Sequence, residues 1–155
     1  MRSVESDDPD RCVVGELRRV VFDTNVFVAA VTSREGVSAR LILAARAGHF
    51  QLIASPMLLT ELSEVLDRPK FRRYISLEDA HLFVEEMRKL AHLVDDSPEE
   101  DDPITDDPDD DFLVALAEAV GADALVSGDP HLTTLARAGL IVMTPRGLLD
   151  SLGDA

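Results

Sequence analysis

The sequence predicts an α/β protein, a three-layer α/β/α sandwich around a five-stranded parallel sheet in the order 3-2-1-4-5. Two observations carry this. Short runs of β-branched and aromatic residues alternate along the chain with longer segments whose apolar residues recur at helical spacing. The first of these runs is apolar throughout, as suits a strand covered on both faces. Alternating strands and helices wind as right-handed βαβ units, which set helices on both sides of one sheet.

The elements follow in order. Arg19 to Phe22 reads as a fully buried strand that ends on Asp23, after which the apolar run resumes. Residues 38–48, SARLILAARAG, form a helix with Ser38 as its expected N-cap and Gly48 as its stop. FQLIAS is the second strand, and PMLLTELSEVLDRP is an amphipathic helix that opens on Pro56 and finishes before Pro69. SLEDAHLFVEEMRKL begins with Ser76 and Asp79 in the spacing of a capping box. Residues 91–95 make a short third strand. An acidic stretch, SPEEDDPITDDPDDD, precedes the helix DFLVALAEAVG, closed by Gly121. ADALVSGD supplies the fourth strand, HLTTLARAG a helix stopped at Gly139, LIVMTP the fifth strand and RGLLDSL a last short helix.

The chain is 155 residues long, enough for one sizeable core, so residues 18–150 are expected to form a single domain. Residues 1–17 are acidic and aperiodic and read as a loosely ordered leader. No apolar run reaches membrane-span length, and the leader lacks the basic start and apolar stretch of a secretory signal. The one cysteine, Cys12, excludes an intrachain disulfide; together these features point to a cytoplasmic protein with no membrane partner. The acidic stretch holds three prolines and little to bury, so residues 96–108 are expected to be mobile.

The formal charge of −15 argues, taken alone, against a nucleic-acid partner, because such binding rests on lysine and arginine contacts to phosphate. Four acids complicate that reading. Asp23 ends the first strand, Asp129 follows the fourth, Glu61 lies one turn into the helix after the second, and Asp110 opens the helix that leads to the fourth. In an open parallel sheet all four start from the carboxyl edge, where sites form at the reversal of strand order. Singly, each has an ordinary explanation: Asp23 as a helix cap, Glu61 as a solvated helix residue, the Asp109–Asp111 run as capping, Asp129 as a turn former. Together they would repel one another unless a hard cation such as Mg²⁺ or Mn²⁺ were held between them.

Three blocks, VVFDTNVFVAA, SPMLLTELSEVLDRPKF and DPDDDFLVALAEAVGADALVSGDPHL, make the chain resemble a PIN domain. The similarity runs over roughly residues 18–148 and is strongest to the VapC-like branch, the toxin components of toxin–antitoxin systems. The resemblance implies a PIN-like fold and a metal-dependent endoribonuclease that hydrolyses phosphodiester bonds of RNA. It places metal-binding, catalytic acids on Asp23, Glu61, Asp110 and Asp129, with Asp111 as the register alternative to Asp110, and orienting polar residues on Asn25 and Ser127. Mg²⁺ or Mn²⁺ as cofactor, an RNA substrate, a cognate antitoxin protein and a homodimer are its further implications. A bound cation also reconciles an acidic protein with an acidic substrate. Arg18, Arg19, Arg34, Arg40, Arg46, Arg68, Arg72 and Arg73 are available for phosphate contacts, although solvated surface is the ordinary reading for most of them.

Other readings fit less well. A haloacid-dehalogenase-like phosphatase needs a second Asp where this chain has Asn25, and a response-regulator receiver needs a lysine after the last strand, whereas no lysine follows Lys89. A catalytically silent PIN scaffold binding RNA or protein would not need all four acids. A structure-specific DNA nuclease of the same plan carries long helical insertions for which there is little room. His49, His81 and His92 lie on or beside helices as surface residues, and His131 follows the Gly-Asp-Pro turn near the proposed site.

The charge itself has a measurable consequence. Raising salt from low to moderate concentration should increase the melting temperature by screening self-repulsion. A melting temperature that falls steadily over that range counts against this.

Overall fold

The computed structural model describes residues 19–96, 108–133 and 140–153, with backbone alone at 108–111 and 131. The leader and Cys12, residues 97–107 of the acidic stretch, and Gly139 lie outside the described residues. At the borders of that stretch, the Asp96 carboxylate accepts a hydrogen bond from the Met57 amide (3.2 Å), and Pro108 opens a helix.

Five parallel strands pair in the expected order: β1 (Arg19–Phe22), β2 (Gln51–Ala54), β3 (His92–Leu93), β4 (Ala124–Val126) and β5 (Val142–Met143), arranged β3-β2-β1-β4-β5. The central strand shows why. Val20, Val21 and Phe22 are all fully buried although consecutive side chains point to opposite faces, so both faces of β1 are covered. Val21 stands opposite Ile53 of β2 and Leu125 of β4. Right-handed crossovers dictate the layers. Steps from β1 to β2 and on to β3 put α1 (Thr24–Thr32), α2 (Val37–Arg46), α3 (Pro56–Leu66) and α4 (Leu77–Leu90) on one face. The return past β1 to β4 puts α5 (Pro108–Ala119) on the other face, where it packs on β1 and β4. A short helix, α6 (Pro130–Thr133), follows β4, and the last helix, α7 (Pro145–Ser151), crosses back to pack on α2.

Most elements lie where the sequence places them, and three differences are instructive. The apolar run after Asp23 forms a helix, α1, which buries Val26, Phe27, Val28 and Val31. Its β-branched residues lower helix propensity only by tenths of a kcal/mol each, which burial of one face readily outweighs. Ser38 is not the cap of α2. That helix starts two residues earlier, with Gly36 at the N-cap, and Ser38 is buried inside its first turn. Between α3 and α4 a 3-10 helix, Pro69–Arg73, takes up the chain that leaves α3, anchored by the buried ring of Phe71. Short of that turn, α3 ends at Leu66, before Pro69 as expected.

The capping logic holds elsewhere. Ser76 Oγ accepts from the Asp79 amide at 3.0 Å, and the buried Ser55 accepts from the Leu58 amide at 3.3 Å, closing the start of α3. Gly48 and Gly121 take positive φ values of 85° and 63°, which lets the chain leave α2 and α5 without the strain of a side chain. Among the described residues no helix is long and apolar enough to cross a membrane.

Leu58, Leu59, Leu62 and Leu66 of α3 are fully buried. Leu62→Ala should therefore cost about 2–5 kcal/mol, against about 1 kcal/mol for loss of the surface cap in Ser76→Ala. Urea titration checks both, each shifting the midpoint with little change of slope. Equal shifts for the two would show that α3 does not carry the core.

Candidate functional site

The site is built where β1 and β4 end side by side. The backbone ladder between them continues one step past the strands, with the Asp23 amide donating to the Val126 carbonyl at 2.9 Å. Asp23 is the N-cap of α1: its Oδ1 accepts from the Asn25 amide at 3.3 Å. It is also buried, with only 7% of its surface exposed, so capping and burial belong to the same residue. Across the strand junction, the fully buried Ser127 donates its hydroxyl proton to Asp23 Oδ2 at 2.8 Å and accepts from the Asp129 amide at 3.0 Å. One hydroxyl thus ties the loop carrying Asp129 to the carboxylate of Asp23.

Burial pushes the Asp23 carboxyl above its ordinary value of 3.8, because the charged form loses hydration there. The Ser127 hydroxyl and the Asn25 amide oppose that shift, the negative charge of Asp129 adds to it, and the Thr24 amide opposes it weakly. No cation figures among these influences. A second carboxylate, that of Asp129, is thus near enough to raise the proton affinity of the buried one, with hydrogen-bond donors as compensation.

Glu61 enters from α3. Thr24, the residue after Asp23, is buried and donates its hydroxyl to Glu61 Oε1 at 2.7 Å. A chain of two side-chain hydrogen bonds and one peptide link thus runs from Glu61 through Thr24 and Asp23 to Ser127. Asp110, with its alternative Asp111, lies in the first turn of α5. This helix leads into β4 from the carboxyl edge of the sheet, so its start lies at the edge where Asp23 stands; the side chains of both aspartates fall outside the described residues. Among the described residues no three His, Cys, Asp or Glu side chains gather closely enough to hold a metal ion. Asp23 and Asp129 are close enough to raise the proton affinity of Asp23, and Glu61 is one hydrogen bond from the residue next to it.

Asn25 contributes its backbone amide to Asp23, while its side chain is exposed. Sequence reasoning passed over Thr24, whose signal was only its place between Asp23 and Asn25. Arg19 stands at the opposite end of β1 from Asp23. There its amide bonds Asp123 Oδ2 (2.9 Å) and its guanidinium donates to the Val120 carbonyl (2.6 Å), which removes it from any role at this site. Arg46 pairs with Glu86 on the surface at 3.4 Å, and Arg72 folds back to the Leu66 and Arg68 carbonyls.

The raised proton affinity of Asp23 links the site to stability. The folded protein holds that proton more tightly than the unfolded chain. The resulting stabilisation is full below the ordinary value of 3.8 and is lost as pH rises through the higher folded value. At neutral pH the ionised, buried Asp23 costs stability. Asp23→Asn, which keeps a good N-cap, should therefore melt above the wild type at pH 7, the gap closing as pH falls into the ordinary carboxylate range. Calorimetry across pH checks this, and a mutant that melts lower at pH 7 would show that the carboxylate is stabilised by its surroundings.

The geometry has solved counterparts. The fold is similar to that of VapBC2 from Rickettsia felis, solved bound to a DNA fragment from its promoter, with a TM-score of 0.56 and 14% identity over 81% of this chain and 98% of that one. It is also similar to PAE2754 from Pyrobaculum aerophilum, with a TM-score of 0.60 and 13% identity over 90% of this chain and 92% of that one. No curated protein matches the sequence. The sequence does match the PIN domain over residues 19–131, which span all the described acids above and the start of α5. The chain belongs to the PIN-domain family.

Proposed function

We propose that this protein is a Mg²⁺- or Mn²⁺-dependent endoribonuclease and the toxin of a toxin–antitoxin pair. PIN domains are generally nucleases that use divalent metals, and the fold similarity to VapBC2 supports the toxin reading. The observation that carries the chemistry is Asp23, a carboxylate buried at a strand end beside Asp129 with no cation among its described surroundings. Hard oxygen donors in that setting suit a hard divalent ion better than an arginine or lysine. Asp23, Glu61, Asp129 and Asp110 (or Asp111) would hold it.

When bound, such an ion lowers the pKa of water and neutralises charge on phosphoryl oxygens. The rest falls to the protein. Ser127 fixes the rotamer of Asp23 by donating to Oδ2, and the Asn25 amide fixes the other oxygen. Thr24 orients the Glu61 carboxylate in the same way. Outer hydrogen bonds of this kind set ligand direction, and their loss typically costs 10–100-fold in metal affinity or activity. An antitoxin and an RNA substrate are the partners this reading requires.

The test measures RNA cleavage and thermal stability together, with and without Mn²⁺, for wild type and Asp23→Asn. Wild type should cleave single-stranded RNA only with metal and should melt higher when metal is added. Asp23→Asn should lose more than about 100-fold in cleavage, beyond the loss typical of an outer contact, and most of the metal-induced stabilisation. Ser127→Ala should fall between them. Cleavage by Asp23→Asn at the wild-type rate ends the metal-site reading, and a folded wild type inert in all metals favours a silent scaffold.

A further inference from the structure

Cations in this acidic protein are not evenly spread. Only two lysines occur in the chain, and one of them, Lys70, shares a six-residue stretch with Arg68, Arg72 and Arg73 in which no acid occurs. The 3-10 helix fixes this stretch against α1, and the two enclose an open groove of ≈ 470 Å³. Its α1 wall is the stripe Asn25, Val28 and Thr32, at one-turn spacings on a single helix face. Its other wall carries Lys70, Arg73 and Tyr74.

Three properties of that wall point to one kind of occupant. Lys70 Nζ lies 5.3 Å from the centre of the Phe71 ring, and the Arg73 guanidinium lies 5.5 Å from that of Tyr74. Both cations are exposed, and among the described residues neither is paired with a carboxylate, despite the surplus of acids on the chain. Tyr74 is 44% exposed, a large ring left accessible at the groove. Exposed aromatic rings flanked by cations are how proteins hold single-stranded nucleic acid: bases stack on the rings and phosphates meet the cations. An acidic peptide would use the charges but leave the ring without a partner. The near end of the groove is Asn25, whose amide binds Asp23.

We propose that the groove between α1 and the 3-10 helix holds a segment of single-stranded RNA, with a base stacked at Tyr74 and phosphates on Lys70 and Arg73, so that the adjoining phosphodiester reaches Asp23. The assignment rests on the nuclease reading for its last clause only. It also explains how a chain of net charge −15 accepts a polyanion: the repulsion is offset locally, in a stretch that carries four cations and no acid.

The test uses the full chain carrying Asp23→Asn, so that bound RNA stays intact, and reads binding of an end-labelled oligoribonucleotide by fluorescence anisotropy. Adding Tyr74→Ala should weaken binding about tenfold, the scale of one lost stacking contact, while Tyr74→Phe retains it. Adding Lys70→Glu with Arg73→Glu should weaken it further and flatten its dependence on salt. Circular dichroism confirms that each variant is folded. RNA affinity unchanged by Tyr74→Ala and by the charge reversals overturns the proposal. So does an acidic peptide whose binding these changes abolish while RNA affinity holds, since the groove would then be a protein-docking site. The nuclease reading is tested apart, by Mn²⁺-dependent hydrolysis of bis(p-nitrophenyl) phosphate by the wild type. Failure there, with RNA affinity still governed by Tyr74 and the two cations, sinks the nuclease and leaves the groove as an RNA-binding site.

Discussion

A parallel strand covered on both faces has to end, and the way β1 ends organises the rest of this molecule. The chain passes from Phe22 in the core straight into α1, and the residue at the junction is a carboxylate. A buried charge of that kind is tolerable only where donors converge on it. Two come from its own helix start, and the third is the hydroxyl of Ser127, delivered by the end of β4. The contact therefore requires β1 and β4 to be neighbours, which places the reversal of strand order at this point. It also requires the chain to pass β2 and β1 on its way from β3 to β4, and α5 packs over the end of that passage, on β1 and β4. Topology and chemistry meet in one hydrogen bond.

The compensation is incomplete, and under the proposed metal-dependent chemistry that incompleteness has a use. Donors lower the proton affinity of Asp23, while burial and Asp129 raise it, and burial prevails. A site that satisfied its carboxylates fully from within would have nothing left to offer a ligand. Here the deficit is of a sign and hardness that a divalent cation would make good, and the fold carries the strain through a core in which α3 alone contributes four fully buried leucines. Residues that lower stability at functional sites are a recurring form of trade between stability and activity.

How much of this was legible beforehand follows from the range of the forces involved. Strands and most helices could be read because burial writes itself into short windows: Val20–Phe22, or the leucines of α3. The helix α1 was hidden because Val26, Val28 and Val31 look extended locally, and only packing against the sheet decides otherwise. The 3-10 helix escaped for a similar reason, since the burial of Phe71 rather than any local pattern sets it. At the site, Asp23 and Asp129 were visible as strand-end acids and Ser127 as a polar neighbour. The bond from Thr24 to Glu61 was not, because 37 residues separate its partners and a threonine between two stronger polar residues draws no notice. Strand order was recoverable by rule, whereas side-chain partnership across that distance was not.

The composition of the groove has one more consequence. The chain contains no tryptophan and a single tyrosine, Tyr74, which stands on the groove wall under the Arg73 guanidinium. Excited at wavelengths beyond the phenylalanine band, this protein therefore emits from one ring, which lines the same groove as Asn25, two residues along the chain from the buried carboxylate. Whatever enters the groove, or shifts the 3-10 helix against α1, changes the surroundings of the one tyrosine ring. The molecule thus carries its own optical label at the groove proposed to hold RNA.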